Sequence, residues 1–329
     1  MKNALMIVFA GALLMSFHLA MSDHLPIPIH SIAHLQNDSL KIALGKQLFY
    51  DPILSRDSSI SCSSCHSQYN AFAHSDHALS HGINDRIGTR NASSLINLAW
   101  SKSFMWDGAN FSLEAQVLTP LTSHHEMDNT IEEILRRLND NKEYTLLFAR
   151  AFGTTNIATT HLVQAMAAFE SILISKNSRY DSMKMQLTQF TEQESKGYEV
   201  FKHHCNSCHT EPLFTNGTFA DNGLSIDTTL NDLGRYRITL DSADLRHFKI
   251  PTLRNVQYSF PFMHDGRFKR LREVIHHYSS SIDMNDKHRD IPEPLHLSDN
   301  QITELLAFLY TLTDRTFLFN PSFSLHKAN

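Results

Sequence analysis

The chain has 329 residues, 42% of them apolar and 19% charged, with a formal net charge of −5. That length accommodates two domains of ordinary size, and that balance excludes a disordered or fibrous chain. A negative net charge without any basic run offers no field for nucleic-acid phosphates, so nucleic acid is excluded as a partner.

Taken in chain order, residues 1–20 read as a signal peptide. Lys2 gives the basic start, residues 4–15 the apolar core, and Ala20 the small residue expected at the cleavage site. The apolar stretch is shorter than the ~20 residues that span a bilayer, so no stable span is expected after cleavage, and the mature chain is expected in the periplasm. No cysteine follows the stretch to carry a lipid. Apolar periodicity then predicts helices over 40–49, 131–138, 144–152, 160–174, 191–202 and 301–312. Thr191 and Glu194 have the spacing of a capping box, and Ser298 with Asp299 can cap the last long helix. Segments 53–61, 74–94 and 210–246 are rich in Ser, Asn, Asp, Gly and Thr and read as loops. The expected fold class is mainly α.

All four cysteines fall in two copies of one pattern, Cys62-Ser63-Ser64-Cys65-His66 and Cys205-Asn206-Ser207-Cys208-His209. Two C-x-x-C pairs that share a zinc ion usually stand ~15–20 residues apart, whereas about 140 separate these. Two structural disulfides would suit an exported chain, but neither reading accounts for a histidine directly after each pair. The pattern is that of covalent c-type haem attachment, in which two thiols add to the haem vinyl groups and the histidine becomes the proximal iron ligand. Cys62, Cys65 and His66 would hold one haem, and Cys205, Cys208 and His209 the other. The order helix, C-x-x-C-H, long loop, helix occurs twice. It predicts two tandem cytochrome c-like domains, 21–180 and 181–329, meeting in the polar stretch 175–189.

Further motifs lie around the two haem sequences. Arg90-Asn91, Met105-Trp106-Asp107-Gly108, Leu113-Glu114-Ala115-Gln116, Pro120-Leu121 and Glu126-Met127 come between them. Pro251-Thr252-Leu253-Arg254-Asn255 and Met263-His264-Asp265-Gly266 follow the second. From about residue 40 to about residue 312 the order and spacing of these motifs resemble the bacterial di-haem cytochrome c peroxidases and their MauG-type relatives. The resemblance implies that hydrogen peroxide reacts at the N-terminal haem while the C-terminal haem stores or relays electrons. It implies roles for Glu126 as acid/base carboxylate, Gln116 as its hydrogen-bonding companion and Trp106 as the aromatic residue between the haems. Cleaving an O–O bond needs a proton moved from one oxygen to the other as charge develops, which a carboxylate can do, and an amide can orient peroxide without titrating. Without the resemblance, Glu126 reads as a solvated acid beside His124 and His125, and Trp106 as a large core residue with its N–H satisfied.

The resemblance also bears on the outer iron ligands. Typical members close the peroxidatic iron with a histidine upstream of the Arg-Asn motif, and the matching position here is Ile83. His74, His77 and His81 lie nearby but out of register, so an open site is expected, with His81 the candidate should one close it. At the second haem, members place a ligand fourteen residues after the His-Asp-Gly histidine, which here is Tyr278. Methionine is common at that position and tyrosine marks MauG-type relatives. A phenolate would lower the haem potential where methionine raises it. His276, His277, Met263 or Met284 could ligate in its place, and Tyr278 would then be an ordinary residue of an amphipathic helix. His264 is expected to support the haem environment rather than ligate iron. The family further implies a calcium ion between the domains, held by the Asn91 side chain and the carbonyls of Ser259 and Pro261, oxygen donors that suit a hard cation.

Three functions are consistent with these readings. One is a peroxidase drawing electrons from a small periplasmic cytochrome c or cupredoxin, and the second a MauG-type enzyme that uses peroxide to oxidise a protein or other organic substrate. The third is a di-haem electron carrier, which has no use for an acid/base pair beside a closed iron. A homodimer is common in the family.

Overall fold

The computed structural model describes residues 38–325 apart from 75, 76, 286 and 288, together with Leu25, Pro26 and Pro28. The predicted signal peptide, 1–20, lies outside the described residues.

Helix α1 (Ser39–Tyr50) starts where the Asp38 side chain accepts the Lys41 N–H at 3.1 Å. It leads to the single turn α2 (Cys62–Cys65), which carries the first haem cysteines. Helices α3 (Leu113–Thr122), α4 (Ile131–Asp140), α5 (Lys142–Phe152) and α6 (Thr159–Ser171) follow. Helix α6 stops three residues short of the predicted 174, because the Ile172 N–H bonds back within the last turn. The second half begins with α7 (Arg179–Lys184) and α8 (Glu192–His204). The Thr191–Glu194 capping box opens α8, with reciprocal bonds of 3.2 and 2.7 Å. Then come β1 (Phe219–Ala220), α9 (Tyr236–Thr239), β2 (Phe248–Lys249), α10 (Leu271–Ser280), α11 (Asp299–Tyr310) and α12 (Arg315–Leu318). The two short strands pair antiparallel, with Phe219 opposite Lys249.

The two halves repeat one packing scheme. Helix α1 lies against α6 and α8 against α11. At each crossing a glycine lets the backbones touch. A Cβ on Gly45 would stand 1.9 Å from the Ala165 carbonyl oxygen, and one on Gly197 would stand 1.9 Å from the Glu304 oxygen. Four residues on from each carbonyl sits a wholly buried phenylalanine, Phe169 in one half and Phe308 in the other. Two hydrophobic cores result. The first gathers Leu48, Phe49, Phe72, Phe148 and Phe169, and the second Tyr180, Phe201, Phe214, Phe308 and Leu312. Each large side chain so buried contributes roughly 1.5–3 kcal/mol. The chain end returns to the first half, where Phe317, Leu318 and Phe323 complete the first core.

Within the second half, the Arg254 guanidinium meets Asp181 through two bonds of 2.9 Å, with both side chains fully buried. Other polar groups lock the halves together. Ser175 exchanges bonds with Asn97, and its hydroxyl joins Asn255 and Asp314. The stretch 175–189 is therefore polar partly because it enters a buried hydrogen-bonded knot. The repeated Met-x-Asp-Gly loops share a left-handed backbone, with Met105 and Met263 at φ 67° and 72°. Each loop crosses to the other half. The Trp106 carbonyl accepts the Lys249 N–H and the His264 carbonyl the Asn91 N–H, both at 2.7 Å.

Candidate active site

Both C-x-x-C-H motifs open onto one continuous cavity of about 1040 Å³. Its walls fit two covalently bound haems. The His66 Nδ1 faces the Phe72 carbonyl at 2.8 Å, and the His209 Nδ1 faces the carbonyls of Pro251 and Phe214 at 3.1 and 3.3 Å. A carbonyl can only accept, so Nδ1 carries the hydrogen in each ring and the Nε2 lone pair is left for a metal. Burial holds His66 down at about 4 and lowers His209 as well, so both imidazoles are neutral. Burial pushes the Cys65 thiol up to about 11 and Cys205 to about 12. These sulfurs form no disulfide and are not reactive thiolates.

The three residues expected to act on peroxide or carry electrons all line this cavity. Gln116 lies on α3, one turn before Pro120, and its Oε1 is buried without a hydrogen-bond partner. The Pro120 carbonyl then accepts the Met127 N–H at 3.1 Å, and buried Met127 anchors the loop that carries Glu126. Gly82 packs under that loop, where a Cβ would come within 2.5 Å of the Glu126 carbonyl oxygen. The neighbouring His124 points outward, with its side chain 65% exposed. Glu126 instead faces the cavity, where burial raises its carboxyl above the ordinary value against a smaller opposing bond from Ser123. Its charge acts on both Cys62 and Cys65, which places it at the first motif. Trp106 donates its Nε1–H to the Asn91 carbonyl at 2.8 Å.

At the second motif Tyr278 projects from α10 into the cavity. Burial pushes its phenol up to about 12, and the Cys205 and Cys208 sulfurs act on it directly. Met263 also lines the cavity, in contact with Asn222 at 3.4 Å. Three neighbouring side chains that could have ligated the second iron are turned elsewhere. His276 is exposed, Met284 is 50% exposed, and the His277 Nε2 is engaged by the Asn222 carbonyl at 3.0 Å. His264 stacks on Phe248 at 3.7 Å between ring centres. Ile83 is buried and gives its N–H to the Glu126 carbonyl. His81 reaches the cavity wall and stacks on His77 at 4.1 Å.

Asn91, Ser259 and Pro261 line the same cavity. Among the described residues no cluster of three His, Cys, Asp or Glu side chains could chelate an ion, so a cation there would depend on amide and carbonyl oxygens. The Asn91 amide nitrogen bonds the Ala78 carbonyl at 2.9 Å, which turns its oxygen away from that contact.

Lys249 and Glu170 are among the ionisable residues of the wall that escape sequence reasoning. Lys249 is enclosed, bonded to the Ser103 carbonyl at 2.8 Å and the Ser101 hydroxyl at 3.3 Å, and burial brings its ammonium down to about 8. Glu170 on α6 is 4% exposed. Each carries a weak signal, since Lys249 just precedes the Pro-Thr-Leu-Arg-Asn motif and Glu170 interrupts an apolar helix face.

The sequence model of the family described as di-haem cytochrome c peroxidase matches residues 39–189. The methylamine utilization protein MauG of Methylorubrum extorquens is 34% identical over 284 residues, 83% of this chain and 78% of that protein. Cytochrome c551 peroxidase of Nitrosomonas europaea is 28% identical over 301 residues, 87% and 84% of the two chains. Among solved structures, a MauG-like protein associated with microbial copper homeostasis superposes with a TM-score of 0.83 at 30% identity, covering 92% of this chain and 97% of that one. The diheme peroxidase BthA from Burkholderia thailandensis shares the fold, with a TM-score of 0.76 at 24% identity over 85% and 87%. The architecture is thus mainly helical with two cytochrome c-like domains, and among the described residues no helix is long and apolar enough to cross a membrane. The chain belongs to the di-haem cytochrome c peroxidase family, enzymes whose two c-type haems answer to the two C-x-x-C-H motifs of this sequence.

Proposed function

We propose that the protein is a periplasmic peroxidase that reduces hydrogen peroxide to two waters, using two protons and two electrons from a small cytochrome c or cupredoxin. The supporting observation is that Glu126, at the Cys62–Cys65 motif, and Gln116 line the same cavity. A carboxyl raised by burial stands there with an amide oxygen that no protein group satisfies. When bound, the haem at His66 supplies the redox chemistry toward peroxide and the haem at His209 takes up the donor's electrons. Gln116 orients the peroxide, and Glu126 accepts a proton from one peroxide oxygen and returns it to the other. Trp106, fixed at its indole N–H and its carbonyl, is the bridge between the two halves. A haem held at His66 would keep an open outer position, because Ile83 fills the family's histidine position and His81 stacks on His77. Asn91, Ser259 and Pro261 would hold a calcium ion, and the domains divide at about residue 180, where α7 opens the second half. Catalytic oxidation of a reduced small cytochrome c on adding peroxide, lost in E126Q, is the experiment that tests this reading.

Tyr278 favours a second reading within the family. A phenol facing the second motif, beside Cys205 and Cys208, is placed to ligate that iron. It would favour high oxidation states. The oxidising equivalents of peroxide would then pass to a protein or organic substrate. Membership in a family of peroxidases sets the electron-carrier reading aside.

A further inference from the structure

Glu170 has no part in the chemistry described above, yet it is a carboxylic acid in the wall of the haem cavity. It sits in the last turn of α6, 4% exposed, among Met166, Ala167 and Phe169. Its Oε2 has no hydrogen-bond partner. Both it and Glu126 act electrostatically on the Cys62 sulfur. An ionised carboxylate left unpaired at such a place costs several kcal/mol, so the group is held protonated until a positive charge appears nearby.

We propose that Glu170 is a redox-linked proton site of the first haem: reduction adds one electron to the iron and one proton to the Glu170 carboxylate, and oxidation releases both. The iron of the haem attached at Cys62 would gain one positive charge on oxidation, which favours the carboxylate form. Burial and the neighbouring Glu114 hold the acid up at about 8, within reach of that change at neutral pH. The charged groups on the packed elements are few. Helix α3 presents Glu114, half-exposed and able to pass the proton to solvent. Helix α1 carries Lys41 and Lys46, engaged by Asp38 and the Ser322 carbonyl, and Tyr50, whose phenol burial pushes up to about 12. None of these three acts on Glu170. The Cys62 sulfur does not titrate once it is a thioether.

The inference requires only a haem on Cys62, Cys65 and His66, so its failure leaves the roles of Glu126 and Tyr278 standing. The test is a spectroelectrochemical titration of the holoprotein between about pH 6 and about pH 10, following each haem separately. In the wild type and in E126Q the potential of the first haem should fall as pH rises through this range, and in E170Q it should stay level. A slope in E170Q equal to that of the wild type overturns the proposal. Should E170Q fail to take up haem, the redox-difference infrared spectrum of the wild type supplies the answer. A carboxylic C=O band that grows on reduction and moves in E170D supports the assignment, and the lack of such a band, or one that E170D leaves in place, refutes it.

Discussion

The Trp106 carbonyl accepts the Lys249 N–H at 2.7 Å while the Trp106 indole donates to the Asn91 carbonyl at 2.8 Å. One residue thereby ties a first-half loop to strand β2 of the second half. In W106F the ring remains but the Asn91 carbonyl loses its donor, at a cost of about 1 kcal/mol. Under the bridging role, turnover with a reduced cytochrome should fall several-fold while cyanide binding to the first haem is unchanged. Stopped-flow measurement of both separates relay from packing, since a purely structural role would disturb both or neither.

Glu126 must be ionised to accept a proton from peroxide. Burial raises its carboxyl, so kcat/KM should fall on the acid side with an apparent pKa above that of an ordinary glutamate. E126Q should lower kcat/KM by about 10²–10⁴-fold and abolish that acidic limb. A full pH–rate profile of both proteins checks this.

The Arg254–Asp181 pair bears on stability alone. Burial by itself would raise the Asp181 carboxyl, but the Arg254 bonds and charge, with help from Ser178, hold it below its ordinary value. Because the folded-state value is the depressed one, the pair's contribution is present above the unfolded value of ~3.9 and is lost as pH falls through the folded value. D181N leaves Arg254 buried without its partner and should destabilise by about 3–5 kcal/mol near neutrality. Denaturant unfolding should show that difference shrinking in strong acid.

Gly197 has its counterpart in Gly45, and both sit where a Cβ would strike a backbone carbonyl of the facing helix. G197A should force α8 and α11 apart and cost about 1–3 kcal/mol. Ala at Gly153, where a Cβ would meet nothing within 4 Å, suffers only from its φ of 73° and gives the comparison. Thermal melts of the haem-loaded proteins measure both.

Much of this architecture is legible in the sequence because its signals are local. The capping box at Thr191–Glu194 and the apolar period of 301–312 each depend on residues within one or two turns. Helix α3 escapes the periodicity because Pro120 interrupts its pattern, although Pro120 lies close enough to the C-terminus to be accommodated and its carbonyl holds the Glu126 loop. The return of Phe317, Leu318 and Phe323 to the first core is a long-range choice that no local pattern encodes. The C-x-x-C-H residues are plain from cysteine spacing, whereas Lys249 and Glu170 carry only weak local signals and stand out once the fold encloses a cavity around them.

The central claim is an open first iron served by Glu126 and Gln116 beside a second iron whose outer ligand is Tyr278. Low-temperature electron paramagnetic resonance of the oxidised, haem-loaded protein and of Y278M tests it most directly. The account predicts one high-spin signal that cyanide converts, together with one low-spin signal that Y278M alters. Two low-spin signals that Y278M leaves untouched would contradict it, removing Tyr278 as a ligand and leaving His81 to close the first haem.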